Sequence, residues 1–189
     1  MIVDLTIVHT PVGAMALYGM DEELLGLSLD GGHDASHPIE RHLVRQLGPF
    51  TRRPVADAAG AATRLTRYFD GELAALDEQA VRMLGTDFQR DVWTALRAIP
   101  AGETRSYGAL ATSLGKPDAV RAVAAANGAN PLAVFVPCHR VIAANGTLWG
   151  YGGGLPMKQW LLRHEGAKFK PLVEQSELAL EPPLAKPPR

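Results

Sequence analysis

The chain holds one cysteine in 189 residues, so it can form no internal disulfide and no multi-cysteine zinc cluster. Cys138 is left as a buried filler, a lone ligand or a reactive thiol, in a compartment that reads as reducing. No apolar run approaches the roughly 18 residues needed to span a bilayer. The opening MIVDLTIVHTPVG has neither the basic start nor the unbroken apolar stretch of a secretory signal, which predicts a cytoplasmic protein with no membrane partner. Net charge is nearly absent as well, at −1, and gives no global sign of nucleic-acid binding. With 47% hydrophobic and 21% charged residues, the composition argues against disorder, collagen, coiled coil and disulfide scaffolds. The length suits one large domain or two small ones, burying roughly 70% of the unfolded surface.

The charge is unevenly spread. Residues 1–84 carry a net −5, 85–166 a net +3 and 167–189 a net +1, so an anionic partner would meet the middle segment. In the first segment IVDLTIVHT, MALYGM and LLGLSLD, separated by Pro11-Val12-Gly13 and Asp21-Glu22-Glu23, predict a small antiparallel sheet. Helices are expected around Ile39, Leu43 and Leu47 and over Ala61 to Phe69, the latter closed by Asp70-Gly71. His9, His33, His37 and His42 have no metal-ligand spacing and read as surface or loop residues.

From residue 85 the pattern becomes one of short punctuated helices. Thr86 and Gln89 form a capping box ahead of an apolar stripe, Phe88, Val92, Leu96 and Ile99, that stops at Pro100. A second helix is expected from Ser106 to Gly115, and a third from Pro117, as its first residue, to Asn127-Gly128. Two short helices about a tight turn outline a helix-turn-helix. The third helix, DAVRAVAAAN, offers only Arg121 as a long polar side chain, too little to read base edges in a major groove. So smooth a helix either lies against a sugar-phosphate wall or packs on a neighbouring helix; both readings stay open here.

Leu132 to Val136 is a short apolar run that ends at Pro137 and delivers Cys138, His139 and Arg140. A free thiol has a pKa near 8.5, so a nucleophilic cysteine needs a base or cation in reach. Adjacent side chains of an extended chain point opposite ways, so His139 could serve Cys138 only across a turn or through a water. Asn145-Gly146 reads as a tight turn, and Gly150 to Gly154 as a backbone-exposed loop around Tyr151 or a flexible connector. No Gly-Lys-Ser/Thr follows, which excludes a phosphate loop. A last helix, Pro156 to Glu165, should bury Trp160 with Leu161 or Leu162. Glu165 at its C-terminal end opposes the helix dipole unless a donor such as His139 satisfies it.

The run Val136-Pro137-Cys138-His139-Arg140-Val141-Ile142, with Arg121-Ala122-Val123, Asn130-Pro131, Gly150 to Gly154 and Leu161-Leu162-Arg163-His164-Glu165-Gly166, closely resembles the O6-alkylguanine-DNA alkyltransferases. The resemblance spans about Gly85 to Gly166, with the motifs in the family's order and spacing. It implies an α+β chain in two domains. Residues 1–84 would form an N-terminal α/β domain with a small antiparallel, RNase H-like sheet. Residues 85–169 would form a mostly helical catalytic and DNA-binding domain bearing a winged helix-turn-helix, and 170–189 a proline-rich disordered tail.

The resemblance further implies that Cys138 takes the alkyl group from O6-alkylguanine, and from O4-alkylthymine, in double-stranded DNA and keeps it, so each molecule acts once. His139 would accept the thiol proton through a water while Glu165 orients the imidazole. Tyr107 would hydrogen-bond the flipped guanine, and Asn130 would brace the active-site turn. The carbonyls of Cys138 and Val141 would accept the base's exocyclic amine, with Tyr151 and the Gly152 amide completing the substrate site. Ser106, Ala119, Arg121 and Ala122 would meet DNA in the minor groove, Arg121 filling the gap left by the flipped nucleotide. No cofactor or metal is implied, and the free protein would be a monomer.

The chain departs from the family pattern in Ala124-Ala125, where Gly-Gly or Gly-Leu is usual, and in Ala101, where an aromatic is frequent. The cysteines of an N-terminal zinc site found in some relatives are absent. Two other classes compete. A lesion-binding protein of the alkyltransferase-like kind would have no cysteine at position 138, and a cysteine hydrolase would have no use for the finger helix or the tyrosine-centred glycine loop.

Overall fold

The computed structural model describes residues 1–172, so the expected C-terminal disordered tail falls outside the described residues from position 173 on. The described chain divides into two units, Met1–Gly85 with Pro131–Phe135, and Thr86–Asn130 with residues 136–172. Both α and β structure are present, with a small sheet and six α-helices among the described residues.

In the first unit β1 (Ile2–Thr10), β2 (Gly13–Met20) and β3 (Glu23–Ser28) form the expected antiparallel meander. Helix α1 (Pro38–Leu47) follows, its first turn capped by the His37 ring, which accepts from the Ile39 amide. The purely antiparallel expectation needs correction at β4 (Thr51–Pro54), which pairs in parallel with β1 and gives a mixed sheet of order β3-β2-β1-β4. Its four residues TRRP are all exposed and show no alternation; backbone pairing joins this edge strand to β1, and Arg53 adds hydrogen bonds to Asp4 of β1 at 2.6 and 3.0 Å, with Pro54 tolerated at its end. Val3, Leu5, Ala16, Tyr18 and Leu25 pack with Ile39 and Leu43 of α1 into one core cluster. Gly26 permits that packing, because a Cβ there would come within 2.8 Å of Ile39 Cδ1. Helix α2 (Ala61–Phe69) ends at Asp70-Gly71 as its punctuation predicts.

The four histidines of this unit have local roles. His37 also pairs with Asp30, His42 bonds the Leu84 carbonyl, His33 bonds Gly31, and His9 is exposed. The run 131–135 is buried throughout and turns at Val134, whose φ of 73° is rare for a β-branched residue.

In the second unit α3 (Asp87–Arg97) starts at the capping box, with Thr86 and Gln89 exchanging hydrogen bonds. The short strand β5 (Arg105–Ser106) leads into α4 (Tyr107–Ser113), whose first turn Ser106 caps by accepting from the Ala109 amide. Pro117 opens a 3-10 turn, Pro117–Ala119, and α5 itself runs over Val120–Gly128, three residues later than the proline signal suggested. The Trp93 indole ties α3 to α5 through the Ala126 carbonyl at 2.8 Å. Strand β6 (Val141–Ile142) pairs in parallel with β5, and α6 (Leu155–His164) closes the unit. Trp160 does not go to the core as expected. Met157, Lys158, Leu161 and Leu162 take the inward face of α6, and Trp160 stacks half-buried on His164.

Candidate active site

Cys138 sits in a 3-10 turn, Cys138–Arg140, between the apolar run and β6, and is 6% exposed. The Asn130 side chain donates to the Val136 carbonyl at 2.8 Å and also hydrogen-bonds Cys138, so it holds both ends of the short segment carrying the thiol. Burial pushes the Cys138 thiol up, and the Asn130 hydrogen bond and the charge of Lys158 offset part of that rise. A thiol so placed is protonated at neutral pH and needs a base to react.

A base stands next to it. Nε2 of His139 donates to Glu165 Oε1 at 2.9 Å, which fixes the tautomer and leaves Nδ1 as the acceptor. Burial pushes the imidazole below its ordinary value despite the carboxylate, so it is neutral near pH 7 and able to take a proton. Burial alone would raise the Glu165 carboxyl. The His139 hydrogen bond and the Arg140 guanidinium outweigh it and hold the group well below the usual carboxylate range. Arg140 donates to both carboxylate oxygens, at 2.8 and 2.9 Å, and to the Ile99 carbonyl at 2.5 Å. The 3-10 turn and the end of α6 thus bring together a thiol and a histidine–carboxylate pair, with Nδ1 of the imidazole making no hydrogen bond among the described residues.

Residues 87–167 match the DNA-binding domain of 6-O-methylguanine DNA methyltransferase. The methylated-DNA–protein-cysteine methyltransferase of Salmonella typhimurium is 55% identical over 117 residues, 62% of this chain and 68% of its own length. That of Mycolicibacterium paratuberculosis is 46% identical over 158 residues, 84% of this chain and 89% of its own. Mycobacterium tuberculosis OGT in complex with DNA superimposes with a TM-score of 0.71 at 40% identity, over 86% of this chain and 93% of that one. The chain belongs to the methylated-DNA–protein-cysteine methyltransferase family.

As a DNA alkyltransferase of this family, the protein can be surveyed for the other residues its sequence singled out. Tyr107 opens α4, half-buried, and its hydroxyl is pushed up by burial and by the neighbouring Cys138. The Cys138 carbonyl accepts from the Val141 amide and the Val141 carbonyl from Lys158, so each keeps one lone pair for a ligand. The Tyr151 hydroxyl is sealed from solvent, while Gly152 is exposed in the same loop. Arg121 and Ala122 are exposed on α5, Ala119 is its N-cap residue without a side-chain cap bond, and Arg121 forms no hydrogen bond or ion pair with the described residues. Ser106 is already engaged in capping α4.

Two residues of the site were given no role by the sequence. One is Arg140, the second partner of Glu165. The other is Lys158, fully buried, whose ammonium donates to the carbonyls of Val141 at 2.7 Å, Trp149 at 2.7 Å and Gly150 at 3.3 Å and so pins the start of the glycine loop to β6. Burial depresses its pKa to about 8. Among the described residues no cluster of His, Cys, Asp and Glu could hold a metal ion, and no helix is long and apolar enough to cross a membrane.

Proposed function

We propose that the protein performs direct-reversal DNA repair in which Cys138 accepts the alkyl group from O6-alkylguanine in duplex DNA, and from O4-alkylthymine, once per molecule. The observation that carries this reading is a single buried thiol beside a His139–Glu165 pair whose imidazole is neutral and has an open acceptor nitrogen. The thiol proton passes through a water to His139. The sulfur then attacks the alkyl carbon, the carbon–O6 bond breaks, and its electron pair stays on the purine, where the Tyr107 hydroxyl helps neutralise it. The Gly152 amide faces O6, Tyr151 lies against the base, and the carbonyls of Cys138 and Val141 receive the exocyclic amine.

A base inside a duplex cannot reach a buried thiol, so the reaction requires flipping at a cost of a few kcal/mol. Helices α4 and α5 then act as the helix-turn-helix of a winged C-terminal domain spanning 85–169, and residues 1–84 as a separate α/β domain. The surface of α5 supports a minor-groove role, since it exposes Arg121 among small residues, and Ala119 leaves its first-turn amides to phosphate oxygens. Arg121 fills the vacated stack, while Ala119, Ala122 and Ser106 line the DNA. The free protein works as a cytoplasmic monomer without a cofactor.

Incubation with duplex O6-methylguanine DNA followed by intact-protein mass tests the reading. One methyl gained per molecule, located on Cys138 and lost in Cys138→Ser while lesion binding persists, is the expected result. Binding without transfer would indicate a lesion-recognition protein, and repeated turnover a hydrolase.

A further inference from the structure

Besides Oδ1 of Asn127 on α5, two polar atoms of the catalytic unit are sealed from solvent and have no hydrogen-bond partner among the described residues: Nδ1 of His139 and the hydroxyl of Tyr151. They belong to rings that meet edge to face, with centroids 6.4 Å apart at 85°. A buried polar atom left unpaired destabilises the fold. The surrounding charged groups cannot relieve either one. Glu165 is taken up by His139 and Arg140, and the Lys158 ammonium by three backbone carbonyls. A buried water typically rests on two to four polar protein atoms, and beside the two unpartnered atoms stands Cys138, whose charge acts on the Tyr151 hydroxyl.

We propose that Tyr151 is a positioning residue of the proton relay, its hydroxyl and Nδ1 of His139 together holding the water through which Cys138 is deprotonated. The inference rests on the alkyl-transfer reading and deepens it. The water donates one O–H to Nδ1 and the other to the tyrosine oxygen, which turns its lone pairs to the thiol. The S–H proton moves to the water as the water's own proton moves to Nδ1. Thiolate and imidazolium result, the imidazolium facing the Glu165 carboxylate, and the water is regenerated. Tyr151 gains and loses no proton. Burial keeps its hydroxyl neutral throughout the working range, which suits an orienting group and not an acid or base.

Tyr151→Phe removes the oxygen and keeps the ring, so the packing of the loop is preserved. Cys138 is the chain's one thiol, so iodoacetamide labelling without DNA reports its thiolate fraction directly. Labelling against pH should show the midpoint displaced upward by about one unit, and the single-turnover rate on saturating O6-methylguanine duplex at pH 7 should fall about tenfold. The charged and titratable groups around the relay, Glu165, Arg140, Lys158 and Tyr107, are the same in both proteins, so the displacement belongs to the lost hydroxyl. In a His139→Gln background, Tyr151→Phe should add almost nothing, because the relay it serves is already gone.

An unchanged midpoint overturns the proposal. With an unchanged midpoint, a slower transfer would assign the hydroxyl to the bound base, and an unchanged rate would leave it no part in the reaction. Full additivity with His139→Gln would make it an independent structural group and also overturns the proposal. Failure of the wild type to accept a methyl group would instead sink the alkyl-transfer reading, and the labelling arm would still decide whether Tyr151 governs the thiol.

Discussion

Glu165 carries a negative charge at the C-terminal end of α6, where the helix dipole disfavours it, and three donors from His139 and Arg140 make that position tenable. Its removal therefore does two things. Glu165→Gln should slow single-turnover transfer because the imidazole loses its orienting anion. It should also lower stability by about 3 kcal/mol or more in denaturant titration, because Arg140 keeps a buried charge without its counterion. DNA affinity should change little, and an unaltered transfer rate would reduce Glu165 to a helix-end residue. Acid sensitivity follows from the same cluster. His139 is depressed below its ordinary value of about 6.5, so the unfolded chain binds more protons there and stability falls as pH drops below that value. Glu165 is also depressed, so its contribution is complete above about pH 4.3 and is lost as pH falls from there toward the folded value. His139→Gln should flatten the limb between about pH 5 and 7 of a stability-against-pH curve and leave the lower limb in place. The His139–Glu165 hydrogen bond was legible from the helix-end carboxylate and its need of a donor. The tie of Arg140 to the same carboxylate and the burial of Lys158 were not, because a charged side chain is buried only with partners that sequence alone does not display. For Lys158 the signal was present: it stands at i, i+3, i+4 with Leu161 and Leu162, on the inward face of α6.

At the scale of elements, the features written in local chemistry were the easiest to read. The capping box of α3, the Ser106 cap of α4 and the Asp70-Gly71 stop of α2 each satisfy backbone groups with a nearby residue, so sequence alone locates them. Strand β4 was illegible because its pairing with β1 is a long-range backbone matter that TRRP does not encode. Helix α5 showed its polarity but not its purpose: a lone exposed arginine among alanines fits packing and groove docking alike. The two are separable by experiment. Arg121→Ala should cut the single-turnover rate on saturating duplex while leaving reaction with free O6-benzylguanine nearly intact, since only the duplex has a stack to be broken. Arg121→Lys should recover part of the loss, keeping the charge but not the stacking plane. If the arginine merely clamps phosphate, its removal should instead weaken the salt dependence of binding and leave the saturated rate untouched, which is the outcome that removes the finger role.

For the molecule as a whole, what happens to a spent protein turns on the packing around Cys138. Residues 131–142 are buried without interruption, and Cys138 lies in the middle of that stretch, hydrogen-bonded to Asn130. In the proposed reaction Cys138 ends as a thioether, a poor leaving site, and the chain has no second thiol to take the group off, so the methyl should stay. Once bonded to sulfur it sits closer to the neighbours of Cys138 than any non-covalent guest can, and the sulfur loses its proton and with it the relay to His139. Adding a methyl to a packed interior costs about 1–3 kcal/mol. For a chain of this length each kcal/mol moves the melting midpoint by about 2–4 °C, so the methylated protein should melt roughly 2–12 °C below the unreacted one. The comparison requires stoichiometrically methylated protein, verified by intact mass, melted beside unreacted protein in DNA-free buffer. An equal or higher midpoint would mean that the space beside Cys138 accepts the methyl without strain. The reacted molecule would then remain as stable as the active one, and spent protein would have to be cleared by some signal other than its own loosened packing.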